Sequence, residues 1–156
     1  MKRKWILLLI VFTAAVVAGV AQQTKTAKRV YIKASNPYFQ QRGVQVPYSD
    51  GVLVGDTLYV AGHIGLDPKT GKPPSDVEQE LRYLFDGIKS TLAEGGMTMD
   101  DMVMVQVHCP DLSLYDKFNG MYRTYFSKDL PARAFLGSGP LLFGGHFEML
   151  GVAVKR

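Results

Sequence analysis

Two charged residues stand inside segments that are otherwise small or apolar: Arg133 in Pro131-Ala132-Arg133-Ala134-Phe135 and Glu148 in Phe147-Glu148-Met149. A guanidinium in such a setting can hold a carboxylate through two parallel N–H bonds, and a carboxylate there can take a proton from water. If 133–137 and 146–154 are consecutive strands pairing antiparallel about Pro140-Leu141, Arg133 and Glu148 face each other across one small site. Read as structure, the same two residues make a buried or interfacial salt bridge, and the residues alone leave both readings open.

Other chemistry finds little material. No two of His63, His108 and His146 stand at metal-ligand spacing and Cys109 is the only cysteine, so no metal site is expected. No glycine-rich loop opens a helix, so no nucleotide cofactor is expected. Ser138, in Gly137-Ser138-Gly139, lacks the strand–turn–helix setting of an activated serine and reads as a turn. A lone cysteine also means no intrachain disulfide, and Cys109 is expected to be buried.

The elements that must position Arg133 and Glu148 follow from periodicity. Residues 29–33 alternate as a half-buried strand, 35–50 read as irregular, and 52–54 with 57–61 form a hairpin about Gly55-Asp56. Residues 66–74 read as an exposed loop. Ser75-Asp76-Val77-Glu78 has the form of a capping box, with a helix starting at Asp76. Val77, Leu81, Leu84, Phe85, Ile88 and Leu92 give that helix one apolar stripe, which Gly95-Gly96 ends. Val103, Val105 and Val107 mark a strand closed by Pro110. A second helix follows, capped by Ser113 with Asp116 and ending near Phe126, and the two last strands complete the order β-ββ-α-β-α-ββ.

This is one α+β domain, with 156 residues and ordinary globular composition. Two helices for about six strands cover one face of the sheet. Apolar residues on both sides of the last strand, Leu150, Val152 and Val154 against Phe147, Met149 and Ala153, leave a second face in need of a partner, which further copies of the chain would supply.

The N-terminus has its own pattern. Lys2-Arg3-Lys4, an uncharged apolar run over 5–21 and a polar stretch over 22–29 follow the order of a secretory signal peptide. Cleavage is expected after Ala21, with Ala18 the second choice, giving a signal peptide over 1–21, a flexible leader over 22–29, the domain over 30–156 and an exported, periplasmic or secreted protein. Left uncleaved, the run would be the only membrane attachment. The formal charge of +4 is concentrated in this region: beyond Lys33 the balance is −3, which lacks the basic footprint of a nucleic-acid-binding surface.

Taken together, five segments resemble the Rid (reactive-intermediate deaminase) family, also called YjgF. They are Val46-Pro47-Tyr48-Ser49, the run from Leu58-Tyr59-Val60-Ala61-Gly62-His63-Ile64 to Asp67-Pro68-Lys69-Thr70-Gly71, Phe118-Asn119-Gly120-Met121-Tyr122, Pro131-Ala132-Arg133-Ala134 and Phe147-Glu148. The resemblance implies a chorismate-mutase-like mixed sheet with two helices on one face. It also implies a homotrimer with a central barrel and sites in the clefts between subunits.

The implied reaction is hydrolysis of 2-imino acids of the 2-iminopropanoate and 2-iminobutanoate type to 2-oxo acids and ammonia. By resemblance Arg133 holds the substrate carboxylate, Glu148 activates water, and Tyr48 and Asn119 shape the site. Backbone amides near Gly62 and Phe135 complete the carboxylate pocket. Three departures bear on specificity: Ala61 and His63 stand where the family often has serine and glutamine, Phe135 replaces a small residue, and Leu150 stands where many members have a second acid. A binding protein for small carboxylates and an endoribonuclease are the alternatives the sequence leaves open.

Overall fold

A computed structural model describes residues 27–33 and 36–156; the expected signal peptide over 1–21 and most of the expected leader lie outside the described residues. Six strands form one sheet: β1 (Arg29–Lys33), β2 (Ser49–Val54), β3 (Thr57–Ile64), β4 (Met102–Cys109), β5 (Ala132–Gly137) and β6 (Glu148–Val154). Their order across the sheet is β1-β2-β3-β6-β4-β5. The helices are α1 (Pro37–Gln41), α2 (Val77–Glu94) and α3 (Tyr115–Arg123). Among the described residues no helix is long and apolar enough to cross a membrane.

The expected stripe of α2 is its buried face. Leu81, Leu84, Phe85, Ile88 and Leu92 pack with Phe118 and Tyr122 of α3 over Leu58, Val105, Val107, Met149 and Ala153 of the sheet. The opposite sheet face carries a row of residues in register across five strands: Tyr31, Val52, Tyr59, Val152 and Met104. Tyr31, Tyr59 and Met104 are exposed, so the second face remains apolar and open in a single copy, as the last strand's two apolar sides imply.

Several local expectations need correction. Asp76, not Ser75, caps α2, accepting the Glu78 amide, because the chain is still extended at Asp76 and helical only from Val77. Asp111 rather than Ser113 accepts the capping bond before α3; the Ser113 amide is itself the donor, in a short 3₁₀ turn. The 35–50 segment is not wholly irregular, since Asn36 caps α1 with Pro37 at its first position. The loop at 66–74 is only partly exposed: Leu66 and Gly71 are buried.

The largest correction concerns the last two strands, which do not pair. β5 runs parallel to β4, as the crossover through α3 allows, and β6 pairs antiparallel with the other edge of β4 and with β3. Arg133 and Gly151 both stand opposite Val105, whereas Glu148 stands opposite His108. Two strand spacings and three residues along the sheet separate the Arg133 and Glu148 backbones by roughly 14 Å. Their directions also differ: Arg133 shares the helix-covered face with Val105, and Glu148 lies on the open face with Leu150 and Val152, because alternate residues point to opposite faces.

The entry to β6 is fixed by a residue that the sequence reading passed over. Glu80, wholly buried in the first turns of α2, accepts the His146 amide at 2.7 Å and the Phe147 amide at 3.3 Å on Oε1; His146 Nδ1 donates to Oε2 at 2.6 Å. A buried carboxylate is tolerated only when it is matched in this way. Gly65 at the end of β3 lies so close to the Glu80 carbonyl that a methyl group there would overlap it. Glu80→Leu is expected to destabilise the protein by about 2–4 kcal/mol, since it strands the buried Phe147 amide and the part-buried His146 amide and ring. Glu80→Gln, which keeps an acceptor, should cost about 1 kcal/mol. Urea unfolding of the two variants measures the difference.

Candidate active site

Arg133 sits on the edge strand β5 beneath α3. One guanidinium nitrogen donates to Asn119 Oδ1 at 2.8 Å, and Asn119 is itself buried on α3. Four aromatic rings surround the guanidinium: Tyr122 at 4.7 Å, Phe118 and Phe135 at 5.7 Å, and Tyr115 at 5.8 Å. Such rings favour a cation and fix its plane. Arg133 makes no ion pair among the described residues, so most of its five donors are left for another group. Phe135 is a wall of this nest, edge-on to Tyr115 and Phe118. The Tyr122 hydroxyl is buried without a hydrogen-bond partner among the described residues, and burial pushes its pKa up to about 12 against an opposing pull from Arg133.

Glu148 belongs to a second group of residues. Between Val60 and His63 the pairing of β3 with β6 slips, and the slip brings Gly62 against the Glu148 carboxylate, where a methyl group would overlap Oε1. A side chain at position 62 would push the carboxylate out of this position. Tyr48, just before β2, lines the same cavity; burial first, then the charges of Asp50 and Glu148, push its phenol above the ordinary range. The phenol is therefore a proton donor across the physiological range.

The cavity measures 580 Å³ and runs from Glu148, Gly62 and Tyr48 past His63 to α2. His63 Nδ1 donates to the Ala61 carbonyl at 2.9 Å, and its Nε2 lies 3.1 Å from Thr91 Oγ1. Gly87 makes room in α2 for this ring. Both histidine nitrogens are thus occupied, and His63 forms a wall. Among the described residues no lysine or arginine lines the cavity, while Asp50 and Asp86 do.

The six expected site residues therefore fall into two clusters, Arg133, Asn119 and Phe135 in one and Glu148, Gly62 and Tyr48 in the other. Within one chain they do not meet.

Residues 39–155 match the family model described as Endoribonuclease L-PSP. The chain belongs to the Rid family, which includes the YjgF and RutC proteins. It is 42% identical over 88 residues to a RutC family protein of Saccharolobus solfataricus, covering 56% of this chain and 70% of that one. It is 33% identical over 110 residues to 2-iminobutanoate/2-iminopropanoate deaminase of Bos taurus, covering 70% and 80%. Among solved structures, the YjgF gene product of E. coli superposes with a TM-score of 0.68 at 27% identity, covering 85% of this chain and all of that one.

Against the Rid pattern, two features of this chain were not foreseen from its residues. Glu80 carried a signal, because it stands on the apolar side of α2, three residues after Val77 and four before Leu84. Phe39 and Phe143 carried none, since both lie in segments without periodicity. The departure at Phe135 places a ring against Arg133, whereas that at Ala61 leaves only a carbonyl and a methyl group on the cavity wall.

Tyr122 gives a test of the Arg133 nest. Below pH 10 its phenol is protonated in folded and unfolded chains alike; between pH 10 and about 12 only the unfolded chain ionises, so stability falls as pH rises through that window. Tyr122→Phe removes a buried hydroxyl with no hydrogen-bond partner among the described residues. It should leave stability at pH 8 within about 1 kcal/mol of wild type and flatten the alkaline loss, both read from urea unfolding at pH 8 and pH 11.

Proposed function

We propose that this Rid protein hydrolyses 2-imino acids to 2-oxo acids and ammonia in a site assembled from two copies of the chain. The observation that carries the proposal is the state of Arg133: rigidly caged, bonded to Asn119, and with no carboxylate partner among the described residues. A preorganised guanidinium fork of this kind suits a substrate carboxylate, which it can bind through two parallel bonds. The relatives named as 2-iminobutanoate/2-iminopropanoate deaminases support the same chemistry.

The separation of Arg133 from Glu148 supports a second copy. Side chains on opposite faces of the sheet and two strands apart do not converge on one small ligand, so the carboxylate-binding half comes from a neighbour. The exposed apolar row Tyr31, Tyr59 and Met104 offers the surface on which copies would pack. A cyclic trimer, the arrangement expected from the family, places each cleft between unlike surfaces and closes.

In that cleft the partner subunit's Arg133 holds the substrate carboxylate, and Glu148 takes a proton from a water molecule attacking the imine carbon. Tyr48, kept protonated, donates a hydrogen bond to the developing tetrahedral centre. The C–O bond forms as the C=N bond opens, the nitrogen collects protons, and the C–N bond breaks: R–C(=NH2⁺)–COO⁻ + H2O gives R–CO–COO⁻ + NH4⁺. The contribution of the protein is position and charge, which suffices for a reaction that proceeds unaided in water. An endoribonuclease role is disfavoured by a cavity that presents Asp50, Asp86 and Glu148, a set of carboxylates that repels a phosphodiester.

The test uses imino acids generated by an amino-acid oxidase, with semicarbazide trapping what remains. Wild type should accelerate imine loss, and Arg133→Ala should lower kcat/KM by about 100-fold. Saturable binding of 2-oxo acids that needs Arg133, without acceleration of any imine, would move the protein to a non-catalytic binding role.

A further inference from the structure

The cavity beside Glu148 is larger than a three- or four-carbon imino acid needs. At 580 Å³ it falls within the range of about 300–1,000 Å³ found for sites that take much larger ligands. One part of its wall is apolar: Ile64 at the end of β3 and Leu66 just beyond it, Phe39 on α1, and Leu142 with Phe143 in the turn before β6. Such a lining rewards the burial of hydrocarbon.

Phe143 is held there against its own preferences. It has φ 59° and ψ 6°, a left-handed conformation that a bulky side chain rarely adopts, and the residue remains 56% exposed. The ring meets Phe39 at 6.1 Å between centroids. Phe39 is in turn placed by α1, where Tyr38 packs on Gly71 so closely that a methyl group on Gly71 would overlap its ring. Two aromatic rings from segments distant in sequence are thus brought together at the cavity, at a cost in backbone strain and in exposed apolar surface. Strained residues of this kind cluster where a ligand uses them.

We propose that Phe39 and Phe143 form the side-chain subsite of the active site, and that it takes 2-imino acids bearing a large apolar side chain, aromatic or branched. The proposal rests on the reading of Glu148 as the group that activates water at the other end of the same cavity. The side chain takes no part in bond making, so the balance of the reaction is that given above. Acidic side chains are disfavoured, because Asp50, Asp86 and Glu148 already face the cavity.

The experiment compares kcat/KM for the imines of phenylalanine, leucine and alanine in wild type, Phe39→Ala and Phe143→Gly. Glycine suits the positive φ at position 143, so that variant keeps its fold, which thermal unfolding verifies. Wild type is expected to prefer the two large imines over the alanine imine by about tenfold or more, a ratio that one or two buried methylene groups can produce. Each variant should lower that ratio by about tenfold, mainly through KM. Arg133-dependent hydrolysis with no preference for large imines, or a ratio that neither variant moves, overturns the subsite and leaves the deaminase reading standing. No hydrolysis of any imine by wild type overturns both.

Discussion

β4 lies between β5 and β6, and the rest of the site follows from that placement. The crossover through α3 returns the chain parallel to one edge of β4, and β6 crosses over to take the other edge. Arg133 and Glu148, only fifteen positions apart in the chain, are thereby carried to different strands and different faces. Each then acquires its own setting: an aromatic nest under α3 for the guanidinium, and a glycine-lined corner against the bulge of β3 for the carboxylate. Neither charge neutralises the other within the chain, which leaves both for a ligand.

The two settings are built by different physics. The Arg133 nest is made of ring faces and one amide oxygen, weakly polar groups that hold a cation without discharging it. The Glu148 corner depends on close backbone approach, at Gly62 beside the carboxylate and at Gly65 beside the first turns of α2. Glu80 ties that corner to the core by accepting both amides that precede Glu148. Loosening either glycine contact or the Glu80 bonds would shift the start of β6, and with it the Glu148 carboxylate.

Much of the fold was legible in the sequence because it rests on periodicity. The stripe over 77–92 and the alternation at 103–107 read directly as α2 and β4, and the two apolar sides of the last strand pointed to a sheet with an open face. Strand order was not legible: Pro140 and the neighbouring glycines give the same turn signal whether the next strand pairs beside β5 or crosses over β4. Residue type and family resemblance single out Arg133 and Glu148, but the antiparallel register expected to bring them together is not the one the sheet adopts. Glu80 was missed because a charge within an apolar stripe reads as a break in the pattern until its partners, His146 and Phe147, are known. Helix starts missed by a residue or more because Ser75, Asp76, Asp111 and Ser113 are all competent caps, and only backbone conformation selects among them.

The central claim is that one copy supplies Arg133 and its neighbour supplies Glu148. It is tested most directly by mixing Arg133→Ala and Glu148→Gln chains, each inactive by itself, in assemblies formed from a co-expressed equal mixture. In a cyclic assembly, interfaces that join an intact Arg133 to an intact Glu148 arise at about one in four, so imine hydrolysis should return to about a quarter of the wild-type rate. Hybrid assemblies of verified mixed composition that remain inactive would contradict the account.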